Sequence, residues 1–220
     1  MNKNNENYKK SKDFWLDEPY KFSSLYKTKN LFLLPNKIFL HKRIEKIKKY
    51  IEKNLNSTVL DIGCGSGEFT SILKDYYGKV IGMDVSDKMI EIAKKNYGNR
   101  NIIFTKNECT NTQLSDNSID YIFALGLFDY IENIENVLNE FKRILKHKGK
   151  ILITIPKNPS IFFVFRWLTG IRYKIFDAPP IVNAVNRSEL ELFCKSKKLK
   201  ILDLCSLWTT TWIVYLEKNY

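Results

Sequence analysis

The sequence predicts an α/β fold, a largely parallel sheet covered by helices on both faces, and three observations predict it. Residues 58–67 read Thr-Val-Leu-Asp-Ile-Gly-Cys-Gly-Ser-Gly, an apolar run that breaks into glycines and leads to a helical pattern from Glu68. That order is strand, tight loop, helix. Short strands then alternate with helical patterns as far as residue 156, and most of them are apolar at successive positions, as strands buried on both faces are. Glycines at 63, 65 and 67 let the backbone turn sharply and approach a ligand, with N–H groups presented at a helix N-terminus. The loop is therefore expected to cradle a small molecule.

Taken in order, residues 1–12 are polar and read as a disordered tail. Residues 14–34 are rich in aromatic and apolar side chains, among them Trp15, Tyr20, Phe22 and Tyr26, with Pro19 inside and Pro35 just beyond. Ile38, Leu40, Ile44, Ile47 and Ile51 recur near helical spacing, so an amphipathic helix is expected over 38–55. Past the glycine loop, Phe69, Ile72, Leu73 and Tyr76 share a helical face, with Gly78 as the expected terminator. Val80–Met83 is the next strand, ending at Asp84, and Ser86 is placed to cap a helix carrying Met89, Ile90, Ile92 and Ala93.

Residues 102–104 and 119–125 make the third and fourth strands. A helix with Ile134, Val137, Leu138, Phe141, Ile144 and Leu145 ends in a basic turn, Lys146-His147-Lys148-Gly149, before a fifth strand over 151–155 closed by Pro156. Residues 157–185 interrupt the alternation with prolines at 159, 179 and 180 around an apolar run too short to span a bilayer. Ser188 and Glu191 have the spacing of a capping box for a helix reaching about residue 197. Strands are expected over 199–204 and 209–216. The organisation is thus a tail, 1–12, and one domain, 13–220, with an N-terminal helical cap (14–55) and an insertion (157–185).

The totals limit the function classes. A chain of 220 residues with 44% hydrophobic residues can bury one sizeable core. Neither a long uncharged apolar run nor a signal peptide is read, which points to the cytoplasm. The four cysteines are far apart, with no Cys-x-x-Cys pair, so neither zinc nor a disulfide framework is expected. The net charge of +12 is mostly scattered lysine and reads as a solvated surface, with nucleic acid or an anionic membrane surface as alternatives.

The strongest chemical signal is Asp61-x-Gly63-x-Gly65-x-Gly67 with an acid, Asp84, closing the next strand. A dinucleotide fingerprint would place glycine at 68, where this chain has Glu68, while an acid about 20 residues on suits any ribose. Glu68 would also put negative charge where a phosphate would sit. The pattern therefore favours a nucleoside ligand over a pyrophosphate.

Here the chain resembles the class I S-adenosylmethionine-dependent methyltransferases, and in particular the small-molecule branch with the ubiquinone and menaquinone methyltransferases. Residues 59–67 resemble the first motif and Val80-Ile-Gly-Met-Asp-Val-Ser86 the second. Phe104-Thr-Lys-Asn-Glu-Cys109 with Leu114-Ser-Asp-Asn-Ser-Ile-Asp120 resembles the third strand and the approach to the fourth; residues 143–156 resemble the helix, turn and fifth strand. The resemblance implies a Rossmann-like seven-stranded sheet whose last strand inserts antiparallel between the fifth and sixth. It implies S-adenosyl-L-methionine as cofactor, held by Asp61, Gly63, Cys64, Gly65, Gly67, Asp84, Val85, Met89, Glu108, Cys109 and Leu125. Asp84 is expected to accept from both ribose hydroxyls, Glu108 to face the adenine amino group, Cys109 to offer its N–H, and Met89 to pack on the adenine. Asp61 holds either the amino group or the loop.

Methyl transfer from a sulfonium needs alignment first, and a base only when the acceptor keeps its proton. Asp129 and Tyr130, after the fourth strand, are the candidates for that base; Asp129 capping the next helix is the competing reading. Of the two histidines, His41 and His147, neither is expected to be catalytic. Residues 14–34 and 157–185 form either a lid over a hydrophobic acceptor or plain cover. The expected activity is methyl transfer to a small molecule, at oxygen. An RNA methyltransferase and a non-catalytic cofactor-binding scaffold are the alternatives, the first weakened because the fourth strand ends in Leu125-Gly-Leu-Phe128 and not in a base-methylating Asn/Asp-Pro-Pro motif.

Overall fold

The computed structural model describes residues 9, 10, 13, 34–98, 101–158, 183–208 and 210–219. The aromatic residues expected to cover an acceptor, within 14–33 and 159–182, lie outside them, as does the tail apart from 9 and 10. The elements are α1 (Leu34–Lys48), β1 (Asn54–Ile62), α2 (Glu68–Leu73), β2 (Tyr77–Asp84), α3 (Asp87–Tyr97), β3 (Ile102–Lys106), β4 (Ile119–Ala124), α4 (Ile134–Ile144), β5 (Leu145–Pro156), α5 (Arg187–Ser196), β6 (Leu199–Leu207) and β7 (Thr211–Lys218). They build one seven-stranded sheet in the order β3-β2-β1-β4-β5-β7-β6. β1 pairs in parallel with β2 and β4, whereas β7 runs antiparallel to both β5 and β6. The expected inserted strand is therefore present.

Strand order reverses at β1, whose neighbours lead to connections on opposite sides, so a crevice opens at the carboxyl ends of β1 and β4. Alternation along the strands divides the core between the two faces. Leu60, Ile62, Ile151, Ile153, Val214 and Leu216 join Val137, Leu138 and Phe141 of α4 and Leu190 of α5. Val59, Leu152, Ile213 and Tyr215 join Ile47 of α1, Leu73 of α2 and Ala93 of α3. Asp61, two residues after Val59, thereby faces the α1 and α2 side.

Several expected boundaries move, each for a local reason. The first helix stops at Lys48, because Asn54 N–H already pairs with the Tyr76 carbonyl at 2.8 Å and draws residues 54–57 into β1. Pro35 sits in the first turn of α1, where a missing N–H costs nothing. Gly78 does not end a helix; it lies in β2, where a side chain would meet the Leu55 carbonyl oxygen at 1.8 Å. The basic segment 146–149 belongs to the span of β5, whose register against β4 is irregular there. The capping box of α5 is Asn186 with Glu189, not Ser188 with Glu191. Asn186 has the extended conformation a cap needs, and Glu191 instead pairs with Arg187 one turn away.

Candidate functional site

Four strand ends and their loops meet at the crevice, and the glycine loop is its floor. Gly63 N–H and Cys64 N–H both donate to the Met83 carbonyl, at 2.8 and 3.0 Å, and Gly67 N–H donates to the Cys64 carbonyl at 3.0 Å. Gly65 N–H donates to Asp84 Oδ2 at 2.9 Å. These N–H groups fold the loop, so the expectation that it offers them to a ligand gives way to another picture. What the loop offers is room: Gly65 has φ +52° and a Cβ added there would meet nothing within 4 Å, whereas one on Gly67, at φ +86°, would press on Phe104 at 3.0 Å and Ala93 at 3.1 Å.

A small cavity opens over this floor, lined by Arg43, Ile44, Asp61, Gly63, Cys64, Gly65, Ser66, Glu68, Phe69 and Leu125. Asp61 lies at its base, 2% exposed, and accepts from Thr70 Oγ1 at 2.5 Å. Burial pushes its carboxyl up to about 7, with Asp84 adding to the rise while Thr70 and Arg43 oppose it. Burial also raises the Cys64 thiol, which makes it a small filler of tight space and not a nucleophile. Glu68 uses Oε2 to accept from Ser66 Oγ at 2.6 Å, and its Oε1 is shielded from solvent with no partner among the described residues. The Nε of Arg43 is shielded and unpartnered in the same way. One cavity thus holds an unused cationic N–H and an unused carboxylate oxygen, the complement of an amino acid's zwitterionic head.

Asp84 closes β2 beside the loop, with Oδ1 accepting from Ser86 N–H at 2.9 Å. Each oxygen retains acceptor capacity beyond its backbone donor. Val85 follows, half-buried, and Met89 is 2% exposed on α3, where its N–H donates to the cap Ser86 at 3.4 Å. On the other side of β2, Asn107 N–H donates to the Asp84 carbonyl at 3.1 Å, which brings the turn carrying Glu108 and Cys109 to the same edge. Glu108 is exposed there and Cys109 half-buried. That turn is anchored from below: Glu140 of α4 accepts from Thr112 N–H at 2.8 Å and Thr112 Oγ1 at 2.6 Å.

After β4 the chain turns through 126–131. Gly126 N–H donates to Thr154 Oγ1 at 2.7 Å, and the space beside Gly126 is closed by Arg43, 3.1 Å from where a Cβ would stand. Asp129 Oδ1 is shielded from solvent and has no partner among the described residues. Burial pushes this carboxyl up to about 6, against the pull of Arg43. The neighbouring Tyr130 hydroxyl is raised as well, by burial first and the Asp129 charge second. The competing role of Asp129 as a helix cap does not arise, since Asn133 caps α4.

Of the expected residues, Asp61, Gly63, Cys64, Gly65 and Leu125 line one cavity, Asp84 joins it through its bond from Gly65, and Asp129 lies within the field of Arg43. Arg43 was missed, one basic residue among 36 lysines and arginines with no pattern to single it out. His41, two residues earlier, is exposed, as is His147. Among the described residues no group of three or more His, Cys, Asp or Glu is placed to hold a metal ion.

Comparison with known proteins agrees with this geometry. Residues 60–153 match the model of a methyltransferase domain family. The chain is 28% identical over 123 residues to juvenile hormone acid O-methyltransferase of Bombyx mori, covering 53% of this chain and 44% of that protein. It is 26% identical over 170 residues to demethylmenaquinone methyltransferase of Shouchella clausii, covering 70% and 72%. The chain spans 33% to 56% of the length of several of the relatives it matches. Among solved structures, the magnesium protoporphyrin IX methyltransferase of Synechocystis, with S-adenosylhomocysteine bound, superposes with a TM-score of 0.77 at 12% identity, over 94% of this chain and 97% of that one.

Proposed function

With residues 60–153 carrying a class I S-adenosylmethionine-dependent methyltransferase domain, we propose that the protein transfers a methyl group from S-adenosyl-L-methionine to an oxygen of a small-molecule acceptor. One observation carries the choice of oxygen: Asp129, after β4, keeps one carboxylate oxygen shielded from solvent and without a hydrogen-bond partner among the described residues, and burial raises the carboxyl's proton affinity. A hydroxyl acceptor keeps its proton at neutral pH and needs such a base.

The cavity fits the cofactor. Bound S-adenosylmethionine supplies a methyl group on a positively charged sulfur. Arg43 would hold the α-carboxylate, and Glu68 with Asp61 the ammonium. Gly65, with open space above it, would give the amino acid portion room, and Gly63, Cys64 and Gly67 shape the loop that receives it. Asp84 would take the ribose hydroxyls, with Val85, Met89, Glu108, Cys109 and Leu125 around the adenosine. The chain's part in the reaction is alignment, which by itself lowers barriers by about 7–11 kcal/mol. Asp129 would take up the proton that the acceptor hydroxyl gives up as its oxygen gains the methyl and the donor leaves as the neutral thioether, S-adenosylhomocysteine, and Tyr130, the next residue in the turn, would help orient that oxygen.

Residues 13–220 act as one domain in this reading, its cap (14–55) contributing Arg43 through α1, and the apolar, aromatic composition of its insertion (157–185) suits a hydrophobic acceptor. The four free thiols match a reducing cytoplasm. No described helix is long and apolar enough to cross a membrane.

Calorimetry with S-adenosylmethionine tests the donor half, and binding by the wild type is the expected result. Incubating the enzyme with methyl-labelled donor and a small-molecule cell extract, then locating the label by mass spectrometry, tests the acceptor half. Label on nitrogen, carbon or RNA overturns the assignment to oxygen.

A further inference from the structure

The loop that carries Asp129 and Tyr130 is held from outside. The side-chain amide of Asn183 donates to the Phe128 carbonyl at 3.0 Å and to the Ile131 carbonyl at 2.6 Å. These two carbonyls immediately flank Asp129 and Tyr130. Phe128 is fully buried and Ile131 is 8% exposed, so the clamp closes a turn whose two ends are rooted in the core. Inside it, Tyr130 N–H donates to the Leu127 carbonyl at 3.1 Å. The orientation of the amide follows from its partners: two carbonyl oxygens need two N–H donors on one nitrogen, which asparagine has and aspartate lacks.

Asn183 is itself anchored. Val185 N–H donates to the Pro156 carbonyl at 3.0 Å, Asn158 N–H to the Val185 carbonyl at 2.9 Å, and Trp212 Nε1 to that same carbonyl at 3.1 Å. Lys157 Nζ lies over the Trp212 ring at 4.2 Å, and the capping box at Asn186 begins α5 directly after. The anchor is therefore the end of β5 and the start of β7. Among the described residues Arg43 from α1 is the charged group that acts on Asp129, and Asp129 in turn raises the Tyr130 hydroxyl beside it in the turn.

We infer that Asn183 is a positioning residue for methyl transfer, its amide fixing the turn that aims the Asp129 carboxylate into the crevice. The inference rests on Asp129 being the base.

The test follows the Asp129 carboxyl directly by carbon-13 NMR in full-length protein labelled at aspartate, with the signal assigned by its loss in Asp129→Asn. The wild-type carboxyl is expected to titrate near 6. In Asn183→Ala the turn opens to water and the midpoint falls toward the ordinary aspartate range, while S-adenosylmethionine affinity, measured by calorimetry, stays as in the wild type. Asn183→Ser, which keeps one donor, moves the midpoint part of the way and serves if the alanine variant does not fold. An elevated midpoint that neither variant moves overturns the clamp alone. A wild-type midpoint in the ordinary range overturns the base and the clamp together.

Discussion

The backbone N–H of Gly65 donates to Oδ2 of Asp84 at 2.9 Å, tying the tip of the glycine loop to the end of the next strand. The acid thus both shapes the loop and, in the proposed complex, holds the ribose. Removing it in Asp84→Ala forfeits hydrogen bonds to an ionised group worth about 1.5–3 kcal/mol each, so S-adenosylmethionine affinity falls tenfold or more. Asp84→Asn, which keeps one acceptor oxygen, falls less. Calorimetry on the three proteins checks the order; equal affinities would remove Asp84 from the site.

Gly65 and Gly67 separate binding from stability. Both have positive φ, +52° and +86°, so alanine at either costs about 1–2 kcal/mol of backbone strain. Gly67→Ala adds collisions with Phe104 and Ala93 and is expected to lower the melting temperature further than Gly65→Ala. Gly65→Ala places its methyl in open space over the cavity floor and is expected to weaken donor binding more than Gly67→Ala does, relative to its loss of stability. Thermal melts paired with calorimetry decide the matter.

Asp129→Asn keeps the shape and removes the base. Label transfer to the small-molecule acceptor is expected to drop by about 10² to 10⁴, with donor affinity unchanged. In the wild type the carboxylate is the active form and burial has raised its proton affinity. The rate at saturating donor should therefore climb with pH through about 6 and level off above it. A flat profile across that interval would speak against proton transfer to Asp129.

Glu140 links acid stability to the site. Its carboxyl is held down to about 2 from an ordinary 4.5, chiefly by Arg143, with Thr112 helping against the cost of burial. A carboxyl lowered in the folded state stabilises above its unfolded value and loses that contribution as pH falls from 4.5 toward 2. The contribution at neutral pH is at most about 3 kcal/mol, one pKa unit being about 1.4 kcal/mol. Urea unfolding at pH 7 should show Glu140→Ala destabilised by a comparable amount, and the gap to wild type should shrink at pH 3. A gap that is independent of pH would mean that the ion pair contributes little.

The outcome separates two kinds of information in the chain. Patterns within a few residues were enough for the alternating elements, the glycine loop, Asp84 at a strand end and the loop after β4, because strand burial, turn geometry and capping are local. Boundaries were less legible where pairing partners decided them. Asn54 joined β1 because Tyr76 was there to accept from it, and Gly78 lies in a strand because Leu55 crosses above it.

What the sequence by itself determined is the frame: a parallel α/β sheet, its crevice, and the acids and glycines suited to a nucleoside donor. Only the tertiary structure decided how the site is made. It spent the loop's N–H groups on folding the loop, brought Arg43 from α1 over Asp61 and Gly126, and hung the Asp129 turn on Asn183. Those contacts join residues far apart in the chain, and their energy comes from burying charged and polar groups against specific partners, which no local pattern encodes.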